Sequence, residues 1–364
     1  MSETRTDVIV SQPGTADRRV YIDFIKILAI LMVVFNHTST KGFLLFTQYR
    51  ESALYPFYLF NAVLIKIAVP LFFMCSGALL LGKKESYKVL LRKRFLRFFL
   101  ILIVMSATIY LYNRIRAGKS VSVAQFLKKI WQGDISVTFW YLYRYLMYIL
   151  MLPLLRKIAK GITKTDCIWI IILYSIIMSI PMIEFLIWKG KVTYYEQIFL
   201  IIEPDYVFFP LIGYYIDKTN IPEKNGKPIL ILVLLSIVAI GINCVMTHYR
   251  CTLLGAWKSP NCETFLSSLT FVPTIAVFYI CKVWFSKHKP GPRAEKMIIT
   301  LSGLTFGIYL LERIGRMETE GIYEYVRPYI HSLPASWVWV LCACVLCGLA
   351  VFVLKKIPGL KKFL

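Results

Sequence analysis

Apolar runs of about 18 to 24 residues recur along this 364-residue chain, separated by short loops rich in Lys, Arg, Pro and Gly. A run of that length matches the hydrocarbon thickness of a bilayer. It can satisfy its own peptide groups there only as a helix. The runs at 21–44, 57–82, 95–113, 138–155, 167–188, 198–216, 228–247, 264–284, 297–312 and 335–354 predict ten transmembrane helices. The expected fold is therefore all-α, a polytopic integral membrane helical bundle. Its parts are an N-terminal segment 1–20, one membrane domain 21–355 and a basic tail 356–364. A hydrophobic content of 58% and a mean hydropathy of +0.63 agree with that class. No internal repeat stands out. No cleavage pattern follows the first run, which reads as a retained helix.

The net charge of +23 would suggest a polyanion partner in a soluble protein. Here the cations cluster between apolar runs, as in cytoplasmic loops, so nucleic acid is excluded as a partner and membrane lipids are expected. With ten spans the termini share a side. The loops on that side carry about 26 Lys and Arg against about 14 on the other. Both termini are thus expected in the cytoplasm of a multi-pass protein of the plasma (inner) membrane.

Ionisable residues inside such runs are costly unless they face a partner, a cavity or a substrate. The first run holds Asp23, Lys26, Asn36 and His37. On a helix, Lys26 and His37 stand about 16 Å apart along the axis and about 20° apart around it. Asp23 lies one turn before Lys26 and can neutralise it. A neutral imidazole at that depth can take a proton from a hydroxyl or carry an acyl group. At the start of the third run, Arg94 and Arg97 share a helical face. Together with Arg92 and Lys93 they suit either lipid phosphates or the phosphates of a cytoplasmic ligand.

Lys26-x10-His37 followed by Arg94-x-x-Arg97 resembles the pattern of the membrane acyltransferase 3 family. AVPLFFMCSGALL (68–80), FWYLYRYLMYILMLPLLRKI (139–158) and LSGLTFGIYLL (301–311) are similar to that family's later signatures, in the same order. The resemblance implies transfer of an acyl group, usually acetyl from acetyl-CoA, to hydroxyls of extracytoplasmic glycans or other cell-envelope molecules. It implies a catalytic role for His37 with Lys26 as its motif partner, and acyl-CoA binding by Arg94 and Arg97 with help from Lys26. The sequence departs from the family at Glu312, which stands where a histidine often follows the late signature.

Other positions support the acceptor side or the packing. Glu203 and Asp205 bracket Pro204 in the sixth run. They face either a polar cavity or solvent at a broken helix. Trp140, Tyr141 and Tyr143 read as an interfacial aromatic belt or as walls of a glycan site. Arg144 needs a partner, for which Glu203 and Asp205 are candidates. Ser76-Gly77 permits close helix packing or lines a tunnel. His248, His288 and His331 fall in loops or at span ends. The nine cysteines form no metal-type spacing, so no metal is expected, and Cys251 and Cys262 share one loop where a disulfide is feasible. A competing reading is a transporter or flippase of lipid-linked or small anionic substrates, which intramembrane charge and a Pro-broken helix also fit. The acceptor, the acyl group (acetyl or succinyl) and the oligomeric state stay open.

Overall fold

The computed structural model describes residues 18–190, 205–222, 226–255, 257–258 and 261–357. Among these residues every regular element is helical. The first helix, α1 (Val20–Asn36), is apolar on nearly all sides and buried accordingly. It packs against α3 (Ala68–Leu80), α10 (Phe271–Lys287), α11 (Pro292–Ser302), α12 (Thr305–Ile330) and α13 (Ser332–Leu354). The helix carrying Lys26 and His37 therefore runs through the middle of the bundle.

The expected first run 21–44 stops at Asn36 as a helix. The Thr38 hydroxyl donates to the Phe35 carbonyl at 2.6 Å and accepts from the Phe43 amide at 2.9 Å, and Ser39 adopts φ +51°. Side-chain competition for the backbone and one left-handed residue end the helix there. The second run spans Tyr55–Leu80 but changes its winding part-way. Helix α2 (Tyr55–Leu64) joins α3 through a tight turn at Ile65–Ile67. Pro70 has no N–H to offer the Lys66 carbonyl four residues earlier, so a regular α-turn cannot close at that point.

Residues 87–116 form the third helix, which opens with a wide π-turn at Leu90–Phe95 before α4 (Leu96–Arg116). Helix α5 (Val123–Gln132) ends on Gly133 at φ +73° and leads into α6 (Trp140–Gly161) across a 50° bend. Helices α7 (Lys164–Trp188) and α9 (Gly226–Leu254) are peripheral. They expose large apolar side chains such as Ile168, Trp169, Leu234 and Val245, as lipid-facing helices do. Helix α8 (Asp205–Lys218) lies against α3 so closely that a Cβ on Gly77 would overlap the backbone of Pro210, and one on Gly213 the backbone of Met74. Gly77 thus fulfils the packing expectation, while its neighbour Ser76 points into a cavity.

The run expected at 264–284 becomes helical only at Phe271. Buried Asn243 of α9 binds the Leu266 carbonyl and the Leu269 amide, which satisfies the irregular segment before α10. The run expected at 297–312 breaks by 57° between α11 and α12, and α12 then continues to Ile330. By length and apolarity, five helices among the described residues can cross a membrane, or seven if each bent pair is one span. Helices α1 and α10, at 17 residues each, and the 14-residue α8 fall short of that measure.

Candidate active site

A cavity of about 720 Å³ opens beside α1. Toward the end of the bundle where α1 begins, its wall holds Lys26, Ser76, Arg94, Arg97, Phe98, Ser302, Thr305 and Phe306. Toward the far end of α1 it holds Asn36, His37, Lys66, Thr138, Trp140, Tyr141, Arg144, Asp205, Ser267 and Thr270. His37 and the Arg94/Arg97 pair therefore line one cavity.

His37 caps the C-terminus of α1, and its ring is mostly buried. Its Nδ1 stands 3.3 Å from Glu312 Oε1, an ion-pair separation rather than a well-aligned hydrogen bond. Glu312 lies in the third turn of α12 and is 1% exposed. Its other oxygen accepts a 2.6 Å hydrogen bond from Arg316 Nε, one turn on, and Arg316 Nη1 donates to the His37 carbonyl at 2.6 Å. The Trp339 indole donates to the Arg316 carbonyl at 3.1 Å. A buried carboxylate here is tolerable because the hydrogen-bonded Arg316 guanidinium compensates its charge. Asn36, beside His37, keeps its Oδ1 buried without a hydrogen bond among the described residues.

In the sequence, Glu312 stands out only as a departure from the family pattern. The available signal was local: Glu312 and Arg316 sit four apart, the spacing of a self-neutralising pair, right after an apolar helix stretch.

At the basic end, Arg94 is not a free cation. Glu85 accepts two hydrogen bonds from it, from Nε at 2.8 Å and Nη2 at 2.5 Å. Glu85 also accepts from Arg156 Nη2 at 2.8 Å, and Arg156 Nε donates to the Leu80 carbonyl at 3.2 Å. The hydrogen bonds from Arg94, against the opposing effect of partial burial and with the one from Arg156 added, hold the Glu85 carboxyl down at about 2. Arg97, by contrast, has no acidic partner among the described residues. The π-turn separates the two: Arg94 lies within it, whereas Arg97 lies in regular helix beyond it. Arg92 and Lys93 are exposed and stay off the cavity.

Lys26 reaches the cavity with its ammonium 3.3 Å from Asp23. Asp23 is buried off the cavity wall, where it also accepts from Arg18 at 2.8 Å and from the Ser302 hydroxyl at 2.6 Å. It ties Lys26 to the bend between α11 and α12.

At the far end, the Arg144 guanidinium lies 4.9 Å from the centre of the Trp140 indole, and Asp205 accepts from the Tyr174 hydroxyl at 2.9 Å. Tyr141 packs among Phe72, Phe73, Tyr145 and Tyr309 in the cavity wall. Tyr143 instead binds the Ile130 carbonyl of α5, away from the cavity. Lys66, from the broken turn between α2 and α3, stands 3.4 Å from Glu263 and 4.2 Å from the centre of the Phe43 ring. Glu203 lies outside the described residues. His248, His288 and His331 do not reach the cavity, and Cys251 and Cys262 are free thiols.

The family model of the acyltransferase domain, Acyl_transf_3, matches residues 19–355, nearly the whole chain. The chain belongs to the membrane acyltransferase 3 family. Membership sets the transporter reading aside, and it makes the cavity the place to look for acyl transfer. No curated protein and no solved structure matches the chain. Among the described residues no group of three or more His, Cys, Asp or Glu could hold a metal ion.

Proposed function

We propose that this acyltransferase takes an acetyl group from cytoplasmic acetyl-CoA and places it on a hydroxyl of an extracytoplasmic glycan or other cell-envelope molecule. On this reading it is an O-acetyltransferase of the inner (plasma) membrane with both termini cytoplasmic. Helices α1, α8 and α10 then complete a set of ten spans. The observation that carries the reading is the single cavity lined at one end by Arg94, Arg97 and Lys26 and at the other by His37.

The residues divide the work by chemistry. Arg97, Arg94 and Lys26 hold the phosphates of the donor, for which guanidinium forks are suited. The apolar part of the cavity wall, with Phe72, Phe98 and Phe306, suits an extended arm bearing the thioester. With Nδ1 turned to Glu312, the neutral His37 ring carries its proton there, and Nε2 is the basic nitrogen. His37 Nε2 takes the proton of the acceptor hydroxyl as that oxygen bonds to the thioester carbonyl carbon. The C–S bond breaks, and His37 returns the proton to the leaving thiolate. General-base help of this kind contributes ~10²–10⁴-fold. Glu312 stabilises the imidazolium that forms, and Arg316 keeps Glu312 in register. Trp140, Tyr141, Arg144 and Asp205, with Asn36 beside His37, form the acceptor end, to which Glu203 belongs on the sequence reading.

Mass spectrometry of surface glycans from cells with the protein, without it, and with His37→Ala tests this. The expected result is a one-acetyl mass difference that His37→Ala fails to restore while still inserting in the membrane. Normal acylation by His37→Ala would overturn the assignment.

A further inference from the structure

The donor reading leaves an unexplained carboxylate beside the phosphate-binding arginines. Glu85 belongs to the short connection between α3 and the π-turn and does not line the cavity. Yet it occupies the Nε and Nη2 donors of Arg94, the same paired fork that a phosphate would use. An anion that takes this fork must therefore compete with Glu85 for Arg94. Arg97 carries no such internal counter-ion among the described residues.

The loss of Arg94 does not strand Glu85. Its Oε2 is already shared with Arg156, which is buried, fixed to the Leu80 carbonyl and absent from the cavity wall. Arg156 cannot serve the ligand, but it can keep the carboxylate paired once Arg94 turns away. Resting on the reading of this cavity as an acyl-CoA site, we infer that Glu85 is a resident counter-ion that surrenders Arg94 to the donor's phosphate and retires onto Arg156. The exchange keeps Arg94 and Glu85 each paired before and after binding. It also lowers affinity, because each phosphate contact with Arg94 replaces an existing ion pair instead of adding one. Weak product binding favours release of free CoA after transfer.

The two residues should act with opposite signs, which simple structural damage would not produce. Full-length protein in lipid nanodiscs is titrated with free CoA by calorimetry at fixed ionic strength. Removing the competing charge in Glu85→Gln is expected to tighten CoA binding about tenfold. Removing the alternative partner in Arg156→Gln leaves Glu85 clinging to Arg94, and CoA is expected to bind about tenfold more weakly. In turnover, Glu85→Gln should lower KM for acetyl-CoA and lower kcat together, as product leaves more slowly. Should Arg156→Gln fail to fold, the sign for Glu85→Gln decides alone. Unchanged or weaker CoA binding by Glu85→Gln, with wild type binding normally, overturns the counter-ion exchange and spares the donor reading. Absence of saturable CoA binding to the wild type overturns both.

Discussion

Glu312 Oε1 faces His37 Nδ1 at 3.3 Å across the packed helices α1 and α12, with Arg316 bound to both the carboxylate and the His37 carbonyl. The pairing joins residues 275 positions apart, so it exists only in the folded bundle. If Glu312 orients and stabilises the imidazole, the isosteric Glu312→Gln should keep KM for acetyl-CoA and lower kcat on the order of 100-fold. Thiol release from acetyl-CoA by purified protein measures both. An unchanged kcat would remove Glu312 from the mechanism.

Arg316→Leu should be harsher on folding than on substrate binding. It strips a buried carboxylate of its only hydrogen-bonded cation among the described residues, and a charge left uncompensated in this way costs about 3–5 kcal/mol. Adding Glu312→Leu to Arg316→Leu should restore much of the loss, because no buried charge then remains. Thermal unfolding in detergent of the single and double variants reads the difference.

The two arginines of the Arg-x-x-Arg pair should separate in their consequences. Arg97 makes no ion pair among the described residues, so Arg97→Gln should leave thermal stability unchanged. Loss of its charged hydrogen bond to a phosphate should raise KM for acetyl-CoA about ten- to hundredfold. Arg94→Gln should raise KM and also lower the unfolding temperature, since it removes two of the three arginine hydrogen bonds to Glu85. Steady-state kinetics beside a melting curve distinguishes the variants.

Glu85 also predicts a pH signature. Its carboxyl is held at about 2 against a usual 4.5, so the folded state favours the ionised form. That contribution to stability is complete above about 4.5 and is lost as the pH falls toward about 2. The unfolding temperature of wild type should therefore exceed that of Glu85→Gln at pH 6, and the gap should close through this window. A gap that stays constant to pH 2.5 would contradict the ion-pair account.

Gly77→Val should fail to assemble. Its side chain would enter the backbone of Pro210, and rigid backbone cannot yield as a flexible side chain would. Overpacking of this kind costs about 1–3 kcal/mol or more. Neighbouring Ser76→Ala, which touches the cavity, should fold normally. Size-exclusion profiles of the detergent-solubilised proteins check this contrast.

The legible part of the molecule was whatever local periodicity and composition control. Long apolar runs marked the helices, and the shared face of Lys26 and His37 survived because α1 is regular between them. Breaks were hidden because they depend on single hydrogen bonds. Thr38 ends α1, Asn243 holds the segment before α10 out of helix, and the third helix reaches back through the π-turn at Leu90–Phe95, ahead of the run expected at 95–113. In the site, Lys26, Asn36, His37, Arg94, Arg97, Trp140, Tyr141, Arg144 and Asp205 all reach the cavity. Glu85, Arg156 and Arg316 were invisible as site residues because loop and span-end charges look alike until their partners are known. Asp23 was legible as the neighbour of Lys26, but not as the acceptor of Ser302, 279 positions away.

On the proposed function, donor phosphates and the reacting carbonyl occupy opposite ends of one cavity, and photo-crosslinking reads that placement. A CoA thioester bearing a short diazirine acyl group is bound to the purified protein, irradiated, and the adducts are mapped by mass spectrometry. Labelling is expected at the His37 end, on Asn36, His37, Thr138 or Tyr309, with suppression by excess CoA in wild type but far less in Arg97→Gln. Adducts confined to the lipid-facing helices α7 and α9, or labelling indifferent to CoA, would contradict it.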